Sequence, residues 1–403
     1  MQSENNQLLR NHSRPALALY PLAHLAVEVY NSTLSIMWPL FAVRFGLTYG
    51  TIGLLTTIFR GSMTLPQLGF AALADRHGSR LLGVWGLLWM AAGMSLVGLA
   101  PSVGALALIL ALAPLGSAAF HPAGTAHMSQ ALPRRRGLAV ALFMLGGSLG
   151  MSLGPVLGAW LFERRGLGAS PWFMPLGLGV ALLMLALVPP DSSSVKRQAS
   201  ADGPRDPIPR TVFLVMGASI SVSWIESGLS SYLPLLITGR GLPLSTASQV
   251  LFAFSAAAAA GIFVGGALSD RMPRWQVIMV ALIFTAPLHA GTLLVAGRGP
   301  LLVPAGLGFV SALSHPAFVA LAQELMPSRT SLAAALTMGI SWVLGSLGVA
   351  VTGALADHVG MQSALLLNSA LPLAGLACMF AVHRLSGRAA PLPGARRAGK
   401  PAL

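Results

Sequence analysis

The chain has 403 residues, of which 55% are hydrophobic and only 9% charged, whereas a soluble globular domain carries about a quarter charged residues; there are too few charges to cover a soluble surface. A formal charge of +14 invites a nucleic-acid reading, but the basic residues are scattered in short islands between apolar stretches, which excludes that partner. A single cysteine, Cys378, excludes a disulfide framework and a cysteine-rich metal site.

Met1 to Arg14 is polar and lacks the small-residue cleavage pattern of a signal peptide, so residues 1–15 read as a retained cytoplasmic leader. Apolar stretches of about twenty residues follow, each long enough to cross a hydrocarbon core of ~30 Å. Charge, Gly and Pro bound six of them at 16–43, 50–74, 79–99, 103–130, 137–162 and 169–189, an N-terminal six-helix bundle over 16–189. A polar cytoplasmic linker, 190–210, leads to six more at 211–238, 246–270, 275–297, 300–325, 331–356 and 362–383. These form a C-terminal bundle over 211–383, and a basic Gly/Pro/Arg tail occupies 384–403. The expected fold is all-α, with twelve transmembrane helices. The 45 glycines suit such a bundle, because small residues let helices approach closely in lipid.

Orientation follows from Lys and Arg in the short loops. Of the 25 basic residues, nineteen lie in the leader, the loops on its side, the linker and the tail. Five lie opposite, Arg44, Arg164, Arg165, Arg240 and Arg298, and Arg60 lies inside a helix. Both termini are therefore expected in the cytoplasm of a multi-pass protein of a bacterial inner (plasma) membrane. The basic excess also attracts anionic membrane lipids.

Segments recur at an offset of 194 to 195 residues, close to half the chain. Ala72-Leu-Ala-Asp-Arg76 matches Ala267-Leu-Ser-Asp-Arg271, and His121-Pro-Ala123 matches His315-Pro-Ala317. Glu163 corresponds to Asp357. Two parallel six-helix repeats around a polar linker resemble the plan of the major facilitator superfamily, whose solute site lies between pseudo-symmetric halves near the midplane. The segment from Ala71 to Arg80 resembles that superfamily's loop signature Gly-x-Leu-Ala-Asp-Arg-x-Gly-Arg-Arg/Lys, with departures at Ala71 and Ser79; Gly266 to Arg271 is its second copy. The resemblance implies a gating latch at Asp75, Arg76, Arg80, Asp270 and Arg271, with Glu324 as an interfacial partner.

Within the superfamily the chain resembles the fosmidomycin-resistance family of proton-linked drug exporters. His24-Leu-Ala-Val-Glu28, Phe120-His-Pro122, Gly137-Leu-Ala139, Gly146-Gly147 and Gly154-Pro155 carry the likeness, which is weaker in the second half. Gly150, Gly154, Pro155 and Gly158 also resemble the helix-5 signature of proton-linked exporters, with Ala159 in place of its final Gly. The plain reading of those residues is close helix packing around a proline bend.

The chemistry-bearing residues are few. Glu28 lies near the bilayer centre, where an ionised carboxylate is costly without a partner; it reads as a proton-coupling site or as one half of a fixed ion pair, and the resemblance favours the former. Arg60 lies at similar depth and either pairs with Glu28 or offers a solute anion its bidentate fork. Glu226 sits one turn from the repeat match of Glu28, itself Ser223, and either carries a proton or lines the cavity. His24, one turn before Glu28, either tunes that carboxylate or packs. Asn31, the repeat match of Glu226, joins Arg60, His121 and His315 as candidate solute contacts, although the two histidines equally mark a shared helix break before a proline.

No nucleotide-binding loop, metal-ligand spacing or nucleophile elbow is present, so neither a cofactor nor a metal is expected, nor an enzyme. The leading expectation is a monomeric, proton-coupled antiporter that exports small drug-like or amphipathic molecules by alternating access. A second is a transporter of a specific organic anion held by Arg60; a third is a membrane enzyme or non-transporting sensor.

Overall fold

A computed structural model describes residues 2–132, 135–189 and 207–386. Most of the expected linker, the tail beyond Ser386, Arg134 and the Asp75 side chain lie outside the described residues. Those described are helical throughout, with no strand among them. The first half comprises α1 (Gln2–Phe45), α2 (Tyr49–Thr64), α3 (Gln67–His77), α4 (Ser79–Leu96), α5 (Val103–Leu112), α6 (Pro114–Ala131), α7 (Arg136–Arg165) and α8 (Met174–Leu187). The second comprises α9 (Arg210–Gly239), α10 (Leu244–Arg271), α11 (Arg274–Val295), α12 (Leu302–Leu325), α13 (Thr330–Ala334), α14 (Ser341–Val359), α15 (Met361–Asn368) and α16 (Leu371–Ser386).

Where an expected span is broken, proline or a change of helix type explains it. Pro66 separates α2 from α3, and Pro114 opens α6 after α5; a proline supplies no amide hydrogen to the preceding turn. Between α13 and α14, Ala335–Ile340 winds as a π-helix, a rare form often found at functional positions. α1 runs unbroken from Gln2 through the expected leader into the first expected span.

Ten helical spans among the described residues are long and apolar enough to cross a membrane. The two expected spans outside that set are the α1 segment and the α2–α3 segment. Their departure is chemical: α1 carries His24, Glu28, Asn31, Ser32, Thr33 and Ser35, and α2 is short and carries Arg60. The helices poorest in apolar residues are those that bring polar groups to the middle of the molecule.

The halves meet along α2 with α14, and α7 with α10. Gly53 permits the first approach, since a Cβ there would stand 2.6 Å from Ala350 Cα. Aromatic side chains fill the interior, with Trp38, Tyr30, Phe120, Phe143 and Tyr232 almost wholly enclosed. A cavity of about 2100 Å³ lies between the halves, lined at one end by Arg76, Arg80 and Arg136; we term that end the basic face.

The opposite face is sealed by two related contacts. Asp357, at the end of α14, accepts the backbone N–H of Tyr49 at 2.8 Å and of Gly50 at 2.9 Å, so its carboxylate caps α2. Glu163, its repeat match at the end of α7, accepts the N–H of Ser245 at 2.6 Å and caps α10. Each half thus places an acid on the positive end of a helix in the other. The Tyr232 hydroxyl, which contacts Tyr49 O at 3.0 Å and Val349 O at 2.8 Å, and Thr57, which donates to Ser346 O at 2.8 Å, extend the seal.

Candidate functional site

Glu28 is drawn into the molecule by the crossing of α1 with α7. Gly146, Gly147, Gly150, Gly154 and Gly158 face α1, and a Cβ on Gly150 would come within 2.9 Å of both Glu28 Cβ and Leu25 Cα. Pro155 lies buried in the same helix. The small-residue signature therefore sets the distance at which α1 presents its polar residues, as expected of close packing.

The partner of Glu28 is not Arg60. His121 Nε2 lies 3.0 Å from Glu28 Oε1, whereas His24 Nε2 is 3.7 Å away. Each imidazole is held from behind by a backbone carbonyl: His121 Nδ1 lies 2.8 Å from Ser117 O, and His24 Nδ1 lies 2.8 Å from Phe143 O. A carbonyl only accepts, so both Nδ1 atoms carry hydrogen. One proton must then occupy the His121–Glu28 contact, either as imidazolium donating to carboxylate or as carboxylic acid donating to neutral imidazole. Without it, a carboxylate faces a nitrogen lone pair, and the contact is repulsive. Sequence spacing hid this pairing, since ninety-three positions separate the two residues.

The second half repeats the arrangement. His315 Nε2 lies 3.2 Å from Glu226 Oε1, and the Ser311 hydroxyl donates to the same oxygen at 2.7 Å. The first-half counterpart is Asn31 Nδ2 donating to Ser117 Oγ at 3.1 Å. Glu226 thus stands where Asn31 stands in the first half, and Ser223 where Glu28 stands, while both histidines lie beside a carboxylate. Proline follows each histidine, but α6 and α12 run on through Pro122 and Pro316, so no helix break stands there, and both imidazoles line the cavity.

Arg60 projects from α2 into that cavity and donates to Ser230 Oγ on α9 at 3.0 Å, across the two halves. It makes no ion pair with Glu28, although both buried carboxylates lie within its electrostatic reach. The fixed Arg60–Glu28 pair is therefore replaced by an arginine most of whose donors remain for other partners. Ser230 carried no sequence signal, since a lone serine in an apolar helix is commonplace.

The expected latch residues lie apart from this centre. Arg76 and Arg80 line the mouth of the cavity, and Arg80 donates to Leu185 O at 2.5 Å. Asp270 and Arg271 are exposed at the end of α10. Glu324 pairs with Arg274 of its own half. Among the described residues, the carboxylate contacts that bridge the halves come from Glu163 and Asp357 on the sealed face, read in the sequence only as a repeat match.

Comparison with known proteins agrees with this architecture. Residues 22–346 match the family model for the Major Facilitator Superfamily. The chain is 30% identical over 373 residues to the fosmidomycin resistance protein of Escherichia coli, covering 90% of this chain and 92% of that one. It is 26% identical over 359 residues to a probable 4-methylmuconolactone transporter of Cupriavidus pinatubonensis, covering 82% and 81% respectively. A bacterial homologue of the human lysosomal transporter Spinster, in an inward-facing and occupied conformation, superposes with a TM-score of 0.76 at 18% identity, over 91% of this chain and 96% of that one.

Proposed function

The chain belongs to the major facilitator superfamily and is a membrane transporter of small solutes; from that premise we propose that it is a proton-coupled antiporter that exports small drug-like or amphipathic molecules. The observation that carries the reading is the His121–Glu28 contact, whose geometry needs a proton. A proton bound there from one side and lost to the other, as the halves rock, couples its descent to movement of solute in the opposite direction. Glu226 with His315 forms the second candidate proton site, and His24 orients the first. Asn31 and Arg60 join the two histidines as solute contacts.

Twelve spans complete the proposed topology, with α1 and α2–α3 supplying the two that are polar in composition. The basic face is assigned to the cytoplasm of a bacterial inner membrane by the positive-inside rule. On this assignment the cavity opens to the cytoplasm, Glu163 and Asp357 close the outer face, and the Asp75, Arg76, Arg80, Asp270, Arg271 and Glu324 groups gate the inner face in the alternate state. The protein acts as a monomer of two bundles, 16–189 and 211–383. Export is the direction suggested by the name of the E. coli relative.

A second reading is supported by Arg60. A cavity arginine with donors to spare suits a solute that carries a carboxylate or phosphonate, and the C. pinatubonensis relative is named for one defined metabolite. The two readings differ in solute class and share the proton site.

Reconstitution tests both. Proteoliposomes containing a pH dye are challenged with drug-like cations, neutral amphiphiles and organic phosphonates in turn. The proposal expects solute-dependent proton movement in wild type and its loss in Glu28→Gln, with the variant still folded and still binding solute. A wild-type proton response in Glu28→Gln removes Glu28 from the mechanism.

A further inference from the structure

The three groups at the first-half site also have the arrangement of a metal centre. His24 Nε2, His121 Nε2 and a Glu28 carboxylate oxygen all lie within 4.8 Å of one another. A tetrahedral zinc ion with ligand bonds of about 2.0–2.1 Å sets its ligand atoms roughly 3.3 Å apart; the measured gaps to Glu28 Oε1 are 3.0 and 3.7 Å. Two histidines and one glutamate form a ligand set that binds zinc with a fourth position left open. Here that position faces the cavity, which all three residues line.

The surroundings meet a more demanding test. A metal-bound histidine normally donates its remote N–H to a carbonyl or carboxylate, which fixes the ring and its tautomer. Both imidazoles have that support, from Phe143 O and Ser117 O, each at 2.8 Å. Their Nδ1 hydrogens are thus committed backwards and their Nε2 atoms converge on the carboxylate. Gly147 makes room for one ring, since a Cβ there would fall within 2.8 Å of three His24 ring atoms.

The repeat supplies an internal control. The match of His24 is Ser219, whose hydroxyl donates at 3.0 Å to Thr337 O, itself the match of Phe143 O. The backbone support survives in the second half but the ligand does not, so Glu226 and His315 offer only two donors.

The geometry points to a binding site for a borderline divalent transition cation, of the Zn²⁺ or Co²⁺ class, formed by His24, Glu28 and His121 and entered from the cavity. The ion occupies the place of the His121–Glu28 proton, so its binding releases that proton to solvent and holds both partners. The site stands on its own geometry; its consequence, arrest of transport by zinc, rests on the reading proposed above.

The test uses the full-length protein in detergent, free of a histidine tag, titrated with Co²⁺ while its visible d–d absorption is followed and then with Zn²⁺ to displace the Co²⁺. One cobalt per chain in a low-coordinate environment is expected, displaced by zinc. His24→Gln and His121→Gln should each weaken binding at least about tenfold, given that even supporting groups are worth about 10–100-fold. His315→Gln should leave the affinity within about twofold. Each variant is first confirmed as folded by size exclusion and circular dichroism; if His121→Gln is not, the His24→Gln and His315→Gln pair decides. Equal affinity in His24→Gln and wild type, or absence of cobalt binding by folded wild type, overturns the site. Cobalt binding without zinc block of solute-driven proton flux keeps the site and removes the His121–Glu28 contact from the proton path, whereas proton flux without metal binding overturns the site and leaves the transport reading standing.

Discussion

The two acid caps on the sealed face make a quantitative prediction. Asp357 bonds two backbone amides at the start of α2, and Glu163 one at the start of α10. A charge at a helix N-terminus contributes about 0.3–1 kcal/mol when exposed, and both carboxylates are exposed and screened by solvent. Removing either charge should therefore cost the closed state about 1 kcal/mol at most. By the rule of about 1.4 kcal/mol per tenfold, that opens this face up to roughly fivefold more often. The sites lie on different helix pairs, so their effects should add, giving up to roughly 30-fold in the double variant. The reporter is Ser346→Cys in a Cys378→Ser background, because Ser346 is wholly buried where Thr57 of the other half meets it. Its rate of modification by a membrane-impermeant maleimide from the sealed side follows the open fraction. Asp357→Asn and Glu163→Gln should each raise that rate several-fold, and together they should multiply. A double variant labelled at the parent rate would refute the capping argument, and a double variant no faster than either single would refute independence.

Other predictions follow from single contacts. Arg60→Lys keeps the charge but loses the planar fork, so binding of a phosphonate or carboxylate solute, measured by calorimetry, should weaken about tenfold while a neutral amphiphile binds as before. Gly150→Leu places a side chain against Leu25 and Glu28, so folded yield by size exclusion should collapse. Gly61→Ala, with open space at its Cβ, should be neutral or stabilising by up to about 1 kcal/mol, read as a thermal midpoint at or above the parent's. Tyr232→Phe removes the hydroxyl that bridges Tyr49 and Val349 and should speed labelling of Ser346→Cys in the same sense as the acid variants.

Much of the plan was legible in the sequence because lipid imposes long apolar runs and because the chain repeats itself. Glu28 and Arg60 stood out for the same reason, being ionisable groups in spans that should hold none. Their partners did not. The His121–Glu28 bond joins α6 to α1 and the Arg60–Ser230 bond joins α2 to α9, and no spacing rule links positions that only the fold brings together. The metal cluster escaped notice likewise: His24 and Glu28 share one helical turn, but two ligands are too few to signal a site. Proline effects were misplaced for a different reason. Pro122 and Pro155 remain inside continuous helices, whereas Pro66 and Pro114 stand where one segment ends and another begins.

The repeat itself explains why the two halves have different chemistry. With an offset of 194 to 195, His24 and Gly147 of the first half stand where Ser219 and Trp342 stand in the second. In the first half the histidine is large and Gly147 faces it; in the second a serine takes the histidine's place and a tryptophan stands beside His315. The volume beside each acid–histidine pair is filled both times, by His24 with its ring 5.0 Å from His121, and by Trp342 with its ring 5.9 Å from His315. What changes is the capacity of the filler, since imidazole can hold a proton or a metal ion and indole can only donate its N–H or stack. The first half therefore concentrates the ionic chemistry at Glu28, and the second offers an aromatic wall, with the π-helical turn at Ala335–Ile340 just ahead of Trp342. Exchanging the fillers is the sharpest test of that division: His24→Ser with Gly147→Trp should rebuild a second-half type of pocket, abolish the third metal ligand and leave the His121–Glu28 proton site in place. Loss of proton coupling in that folded double variant would show that His24 does more than fill space and orient its neighbour.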